Sequence, residues 1–331
     1  MKIHANAIVI TMLWASAGIF LPNVNSVQAQ PDDSQKAVLV TGASTGIGRT
    51  ITEFLAARGY FVYAGARSAE DLAELDSIEN VQSIKLDVTI PEEIAAAVEE
   101  VTKAGRGLYG LVNNAGVGII APLIEVEEAD LDFQLDVNLY GPYRITKAFS
   151  HLLIEEQGRI TTIGSISGIL SGAFLGPYSM SKHAVEAYTD ALAAEIEPLG
   201  VRVSVVEPGN YRSQIGVSLM RRRADNNQSV EGSLFEERLE DRLAGVGYHP
   251  SMKSPDEVAA AVLHALFAEN PKRRYMVVPD QHEAEITIRK AMQELVELNH
   301  GHQYSYEREA LITMLDEALG EVEQFTGFSN Q

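Results

Sequence analysis

Thr41-Gly42-Ala43-Ser44-Thr45-Gly46-Ile47-Gly48 is the stretch on which the reading of this 331-residue chain turns. It follows the apolar, strand-like run Ala37–Thr41 and leads into a helical pattern that begins at about Arg49. Glycines at such a corner let the backbone turn tightly and come within contact distance of a pyrophosphate, which then rests on the unpaired N–H groups of the helix. Glycine-rich corners are common, so the placement directly after the first strand carries the weight. The spacing G-x-x-x-G-x-G also differs from the usual dinucleotide fingerprint G-x-G-x-x-G.

Outward from this turn, short apolar runs alternate with longer amphipathic ones. Strands are expected at Ala37–Thr41, Tyr60–Ala64, Val81–Leu86, Gly110–Val112, Arg159–Ile163, Val201–Val206 and Arg274–Val278. Most are nearly continuous in apolar, β-branched residues, as strands covered on both faces are. Ile51, Phe54 and Leu55 form a helical stripe that ends at Gly59, and Thr89, Pro91, Glu92 and Glu93 mark another helix start with acids at its positive end. Seven strands with helical crossovers predict an α/β fold: one Rossmann-like, doubly wound parallel sheet with helices on both faces. Residues 36–280 make up this domain. Asn210 to Pro250 is polar and charged, with scattered Leu219, Met220, Leu234 and Phe235, and reads as a mobile excursion between strands. After Pro279 only two amphipathic helical stretches follow, Glu283–Leu298 and Glu307–Val322, so residues 281–331 form a helical extension with a solvated acidic face.

The composition excludes several functions. With 26 basic and 46 acidic residues the net charge is −20, against the cationic face that sequence-independent nucleic-acid binding needs. There is no cysteine, which removes disulfides, thiolate nucleophiles and iron–sulfur clusters, and the 8 histidines form no H-E-x-x-H or other tight ligand cluster. No metal site is expected.

The N-terminus is set apart from the domain. Lys2, the uncharged stretch Ala7–Leu21, Pro22 and Val27-Gln28-Ala29 together match a secretory signal peptide over residues 1–29, with 30–35 as a linker. An uncleaved membrane anchor, a buried N-terminal helix and a misplaced start codon compete with it. The apolar stretch is short for a bilayer span, and no twin-arginine pair precedes it. Export to the periplasm follows from the signal reading, anchoring at the membrane from an uncleaved segment, and a cytoplasmic location from the other two. The mass of the purified chain decides, since an intact Met1 on a soluble product contradicts cleavage.

Thr41–Gly48, then Asn113-Asn114-Ala115-Gly116, then Tyr178-Ser179-Met180-Ser181-Lys182, in this order, resembles the short-chain dehydrogenase/reductase family. The likeness covers about residues 36–280 and is to the oxidoreductase branch of about 250 residues, similar to hydroxysteroid and retinol dehydrogenases. It implies a nicotinamide dinucleotide held by Gly42, Ser44, Thr45, Gly46, Ile47 and Gly48. It further implies Asp87 and Val88 beside the adenine, with Asn114, Ala115 and Gly116 shaping the cleft floor. Pro208 and Gly209 resemble the family's turn beside the nicotinamide, and Ser213 stands where a Thr is usual. At the second strand end, Ala66 occupies the place of the carboxylate that binds a ribose 2′-OH, and Arg67 follows it. That favours NADP(H) over NAD(H), against the alternative that Arg67 merely caps or solvates the strand end.

Tyr-x-x-x-Lys occurs twice, as Tyr143–Lys147 and Tyr178–Lys182, and helical periodicity cannot choose between them. Context selects the second, because Ser165 lies thirteen residues before Tyr178 at the end of a strand, whereas Tyr143 sits in a pattern that reads as buried or interfacial. Ser167 is the nearby decoy. Hydride reduction of a carbonyl needs a proton for the developing alkoxide, which a phenol can supply if its pKa falls from about 10 toward neutrality. Lys182 supplies a charge that favours the phenolate, Ser165 a hydrogen bond to the substrate oxygen. The resemblance adds Lys182 on the nicotinamide ribose, together with Tyr178, and Asn138 positioning a water in the proton relay.

The expected activity is therefore an NADP(H)-dependent interconversion of a secondary alcohol and a ketone, or a related aldehyde, on a hydrophobic small molecule. Two rivals remain: a non-catalytic dinucleotide-binding sensor or scaffold, and an epimerase or dehydratase. Residues 210–250 would be the substrate lid, and its Arg221-Arg222-Arg223 run reads as a solvated, helix-terminal charge cluster, or else as a reader of an anionic substrate or membrane surface. By family analogy the helices containing Asn138–His151 and Ser179–Leu199 pair across a homodimer or homotetramer, with Ala187, Ala191 and Ala194 permitting close approach. Membrane contact is expected only through an uncleaved N-terminus, and no nucleic-acid partner is expected.

Overall fold

The computed structural model describes residues 35–247 and 251–326. The signal-peptide reading of residues 1–29 falls outside them, as do most of the linker and the last five residues of the chain. Seven strands form a single parallel sheet: β1 (Ala37–Val40), β2 (Phe61–Ala66), β3 (Val81–Lys85), β4 (Gly110–Asn113), β5 (Arg159–Ile163), β6 (Arg202–Pro208) and β7 (Arg274–Val277). Their order across the sheet is β3-β2-β1-β4-β5-β6-β7. The chain moves outward from β1 to β3, returns across β1, and moves outward again from β4. The winding reverses between β1 and β4, and ligands of such sheets bind in the crevice beyond the strand ends at that point.

Eleven helices complete the described residues: α1 (Gly46–Ala56), α2 (Ala69–Asp76), α3 (Pro91–Ala104), α4 (Glu128–Leu135), α5 (Gly141–Glu155), α6 (Gly176–Ile196), α7 (Ile215–Asp225), α8 (Glu236–Ala244), α9 (Asp256–Phe267), α10 (Gln281–Asn299) and α11 (Arg308–Thr326). Side chains alternate across a strand, and β1 shows the consequence. Ala37 and Leu39 join one apolar cluster with Ile145, Phe149 and Leu153 of α5; Val38 and Val40 join the other with Ile51 and Leu55 of α1 and Val258 and Val262 of α9. Two covered faces explain why the strand runs are apolar throughout. The edge strand β3 is only half-buried, which matches its Gln82, Ser83 and Lys85.

Local details depart from the sequence reading. Helix α1 begins at Gly46, not near Arg49, so Gly46, Ile47 and Gly48 form its first turn. Helix α3 opens with Pro91 and the acids Glu92 and Glu93 as expected, but Thr89 does not cap it; its hydroxyl donates to Asp87 Oδ1 at 2.7 Å. Residues 210–247 are not an irregular excursion, because α7 and α8 bury Leu219, Leu239 and Leu243 against Ile120, with Phe174 and Leu175 packed on them. A sparse apolar stripe within a charged segment suffices when the partner surface lies elsewhere in the chain.

The arginine run is not free in solvent either. Arg222 Nη2 donates to Asp130 Oδ1 at 2.8 Å and its guanidinium lies 3.8 Å over the Phe133 ring, while Arg223 Nη1 donates to the Ile120 carbonyl at 3.3 Å. Asp130, buried, also accepts from Gln228. On the other side Glu125 accepts from the Ser233 hydroxyl at 2.6 Å and the Leu234 N–H at 2.9 Å. Polar latches thus flank the apolar seam of α7 and α8.

Candidate active site

The carboxyl ends of β1, β4, β5 and β6 deliver the residues singled out from the sequence to one edge of the sheet. After β1, Gly42 has φ +63° and its Cβ position lies 2.9 Å from Ala115 Cα; Gly48 would place a Cβ 2.2 Å from the Gly42 carbonyl oxygen. Neither tolerates a side chain, so the chain keeps an open cradle before α1. Thr45 is extended there and caps no helix N–H with its exposed side chain. The first-turn N–H groups of a helix have no partner within it, and an oxyanion is their natural acceptor. Ser44 and Ile47 complete the cradle, half-buried. These features fit a dinucleotide pyrophosphate.

The turn is fastened to β4. Asn114 Nδ2 donates to the carbonyls of Thr41 at 2.9 Å and Gly42 at 3.0 Å, and the N–H groups of Asn114 and Ala115 both donate to Thr41 Oγ1 at 3.0 Å. Gly116 is exposed at the mouth of the crevice. At the neighbouring strand ends, Arg67 Nη1 lies 3.7 Å from Asp87 Oδ2 with its side chain 70% exposed, while Ala66 is buried. Lys85 Nζ donates to the Arg67 carbonyl at 2.6 Å, a second cation at this corner that the strand pattern hid. Val88 is buried against Gly141, where a Cβ would approach it to 2.7 Å.

Ser165, Tyr178 and Lys182 meet at the end of β5. Tyr178 and Ser165 are in hydrogen-bonding contact, and Ser165 Oγ donates to the Pro208 carbonyl at 3.4 Å and accepts the Ser167 backbone N–H at 3.1 Å. Lys182, 6% exposed, donates from Nζ to the Ile163 carbonyl at 2.8 Å and lies 5.7 Å from the Tyr178 ring centre. Asn138 sits in a single π-helical turn, Asp136–Tyr140, between α4 and α5. Its Oδ1 accepts the Val117 N–H at 2.8 Å, and its Nδ2 donates to the Val117 carbonyl at 3.0 Å and to Ser181 Oγ at 3.1 Å. Ser181 in turn donates to the Tyr178 carbonyl at 2.7 Å.

The electrostatics here run against one expectation. Burial pushes the Tyr178 phenol up from its ordinary value, only partly offset by its bond to Ser165, and burial pushes Lys182 down to about 8. Desolvation disfavours both charged forms at once, so the lysine by itself does not bring the phenol toward neutrality.

The Pro208-Gly209 turn after β6 has a partner that no motif revealed. Glu283, buried in the first turn of α10, accepts from the Asn210 N–H at 2.9 Å and from Asn210 Nδ2 at 2.6 Å. A Cβ on Gly209 would lie 1.9 Å from Glu283 Oε2. The helical extension thus holds the turn through a carboxylate 73 residues away. Ser213 lies across from Gly46, with its Cα 3.3 Å from the Cβ position there, and helps line a cavity of about 170 Å³ with Arg49 and Arg212.

The second Tyr-x-x-x-Lys pair is elsewhere. Tyr143 is 47% exposed on α5, its hydroxyl accepting from Lys147 Nζ at 3.4 Å. Both line a cavity of about 260 Å³ between α5 and α6 with Tyr188. It is a surface position, not a buried one. Among the described residues no group of His, Asp or Glu is arranged to hold a metal ion, and no helix is long and apolar enough to cross a membrane.

A Rossmann-like sheet with a phosphate cradle at its switch point and a Ser, Tyr and Lys beside it defines a dinucleotide-dependent oxidoreductase. The family model for short chain dehydrogenase matches residues 36–224. Mitochondrial D-beta-hydroxybutyrate dehydrogenase of Bos taurus is 33% identical over 264 residues, covering 72% of this chain and 76% of that protein. Retinol dehydrogenase 5 of Mus musculus is 33% identical over 260 residues, covering 73% and 80%. A short chain dehydrogenase from Burkholderia cenocepacia J2315, solved in complex with NADP, superposes with a TM-score of 0.62 at 25% identity, covering 81% of this chain and 99% of that one. The chain belongs to the short-chain dehydrogenase/reductase family and is a dehydrogenase/reductase acting on CH–OH groups, one that uses a nicotinamide cofactor.

Glu283→Ala leaves two Asn210 donors without their acceptor. A loss of about 2 kcal/mol of stability is expected from calorimetry, because stranded buried donors cost more than the bond they made. Calorimetric titration should also find weaker dinucleotide binding; unchanged stability and affinity would remove Glu283 from the support of the turn.

Proposed function

We propose that the protein interconverts a secondary alcohol and a ketone, or a related aldehyde, of a hydrophobic substrate, with NADP(H) as the preferred dinucleotide. The observation that carries this reading is the contact between the Ser165 and Tyr178 side chains at the strand end where Lys182 is anchored. When bound, the cofactor supplies or accepts the hydride. Gly42, Ser44, Thr45, Gly46, Ile47 and Gly48 would hold its pyrophosphate, Asp87 and Val88 its adenine, and Pro208, Gly209 and Ser213 its nicotinamide end, over a floor of Asn114, Ala115 and Gly116.

In the reduction direction Tyr178 gives its hydroxyl proton to the carbonyl oxygen as charge develops there, and Ser165 steadies that oxygen with a second hydrogen bond. Lys182 would hold the ribose of the bound cofactor, and its charge together with that of the oxidised nicotinamide would favour the phenolate. Asn138, its side-chain amide held by Val117 and Ser181, would position the water of the relay, as the family resemblance implies. Oxidation of the alcohol reverses the proton's path. A hydrophobic substrate is supported by the apolar contacts of Gly118 with Ile215 and Leu219, beside the buried seam of α7 and α8. The relatives named above act on D-beta-hydroxybutyrate and retinol by their names, an acid and an apolar alcohol, and a panel of carbonyls spanning both measures the preference of this chain.

NADP(H) preference rests on the exposed Arg67 guanidinium beside Ala66, and the complex of the Burkholderia protein with NADP supports it. A homo-oligomer built on α5 and α6 is supported by the exposed Ala187, Ala191 and Ala194 and the half-exposed Tyr143.

Three outcomes are expected. Tyr178→Phe should lower kcat by about 10³-fold or more while leaving dinucleotide affinity near wild type, since the proton donor is lost and the cradle is untouched; substantial residual turnover would refute the assignment. Arg67→Ala should reduce kcat/KM for NADPH about tenfold or more and leave that for NADH nearly unchanged, the loss of one charge-assisted bond to a phosphate; equal effects on both would return Arg67 to a solvated strand end. Ala191→Arg should convert the oligomer to single chains by light scattering, and a monomeric wild type would contradict that part of the proposal.

A further inference from the structure

Helix α6 continues the register of Tyr178 and Lys182 with Glu186 and Asp190, each four residues on. Glu186 points back beneath the loop that carries Ser165. Its Oε1 lies 3.0 Å from where a Cβ would stand on Gly164 or on Gly168, so a side chain at either position would crowd it. Facing it from the end of β6 is Glu207, whose side chain is 3% exposed. The two carboxyl groups are within hydrogen-bonding reach of each other. Yet Oε1 of each finds no donor when both are taken as carboxylates.

That combination has a simple resolution. Carboxylates only accept, so two that face each other can bond only when one carries a proton. The surroundings supply too little positive charge to ionise both. Arg274 of β7 places Nε 3.2 Å from Glu186 Oε2 and 3.7 Å from Glu207 Oε1, but its Nη2 is drawn to Asp190 Oδ2 at 2.6 Å. The charged groups acting on the pair are then Arg274, Asp190 and, along the helix, Lys182; the β5–α6 loop against it offers only Gly164, Ser165 and Gly168. Two buried like charges sharing one half-exposed cation retain a proton between them.

We infer that Glu186 and Glu207 form a proton-sharing carboxyl pair behind Lys182 that sets the alkaline limit of turnover, a positioning role that rests on the Tyr178–Lys182 reading above. The pair keeps one negative charge on the helix face that carries the catalytic groups. Glu186 is the charged neighbour that holds the Lys182 proton in place against burial. Glu207 keeps its own proton through neutral pH, pushed up to about 8 first by burial and then by Glu186. Above that value the pair gains a second negative charge, which further opposes proton loss from Lys182 and Tyr178.

The sign of the test follows. Glu186→Gln removes a negative charge, so nearby protons are held less tightly and the alkaline limb of the kcat/KM profile for carbonyl reduction should move down by about half a unit or more. Glu186→Asp keeps the charge and should restore most of the limb. Glu207→Gln mimics the protonated carboxyl and should shift the limb by less than half as much. A limb unmoved in a Glu186→Gln protein that melts as a folded chain and still turns over would overturn the inference, as would equal shifts in the two Gln variants. An infrared difference spectrum reads the shared proton without turnover: a protonated-carboxyl band near neutral pH, lost as pH rises through about 8 and absent from Glu207→Gln. Absence of that band from the wild type also overturns the pair. Inactivity of the wild type on every carbonyl would strike the catalytic reading instead, with the infrared result still deciding the pair.

Discussion

The hydrogen bond from Lys182 Nζ to the Ile163 carbonyl joins the two halves of the site. It ties α6, which carries Tyr178, to the end of β5, which delivers Ser165, and it does so with a buried ammonium. A charge in that position is costly unless it is bonded and given a task. Burial has already drawn Lys182 down to about 8, and Tyr178 is driven in the opposite direction by the same loss of water. Both groups are therefore biased toward their neutral forms in the free protein, and further positive charge is needed to make the phenol an acid near neutral pH.

Much of the fold could be read from the chain because it is written in local patterns. Most of the seven strands lie where an apolar, β-branched run stands, because buried parallel strands need such runs on both faces, and the half-buried edge strand β3 is the exception. The glycine turn was legible because Gly42 and Gly48 answer to steric limits that no other residue meets. Boundaries were less so: Gly46, a poor helix former, opens α1 because the first turn asks little of its residue.

What stayed hidden depends on partners distant in sequence. Nothing near Gly209 announces Glu283, and nothing in Arg221-Arg222-Arg223 announces Asp130, 92 residues before its partner Arg222. The segment from Asn210 onward reads as polar because its few apolar residues find their complement in Ile120 and Phe174. For the site itself, Ser165, Tyr178 and Lys182 were named by spacing, whereas the direction in which their protons are biased was not. That bias is set first by burial, with Ser165 acting on Tyr178 and Glu186 on Lys182, and burial depends on the packed fold rather than on spacing.

On the proposed function, the Tyr178 phenol becomes an acid of use near neutral pH when the positively charged oxidised dinucleotide completes the site. Carbon-13 tyrosine NMR across a pH titration, without and with oxidised dinucleotide, measures this directly. One resonance, missing from Tyr178→Phe, should titrate above the ordinary value of about 10 in the free protein and well below it in the complex. A Tyr178 resonance that stays above the ordinary value in both states would contradict it.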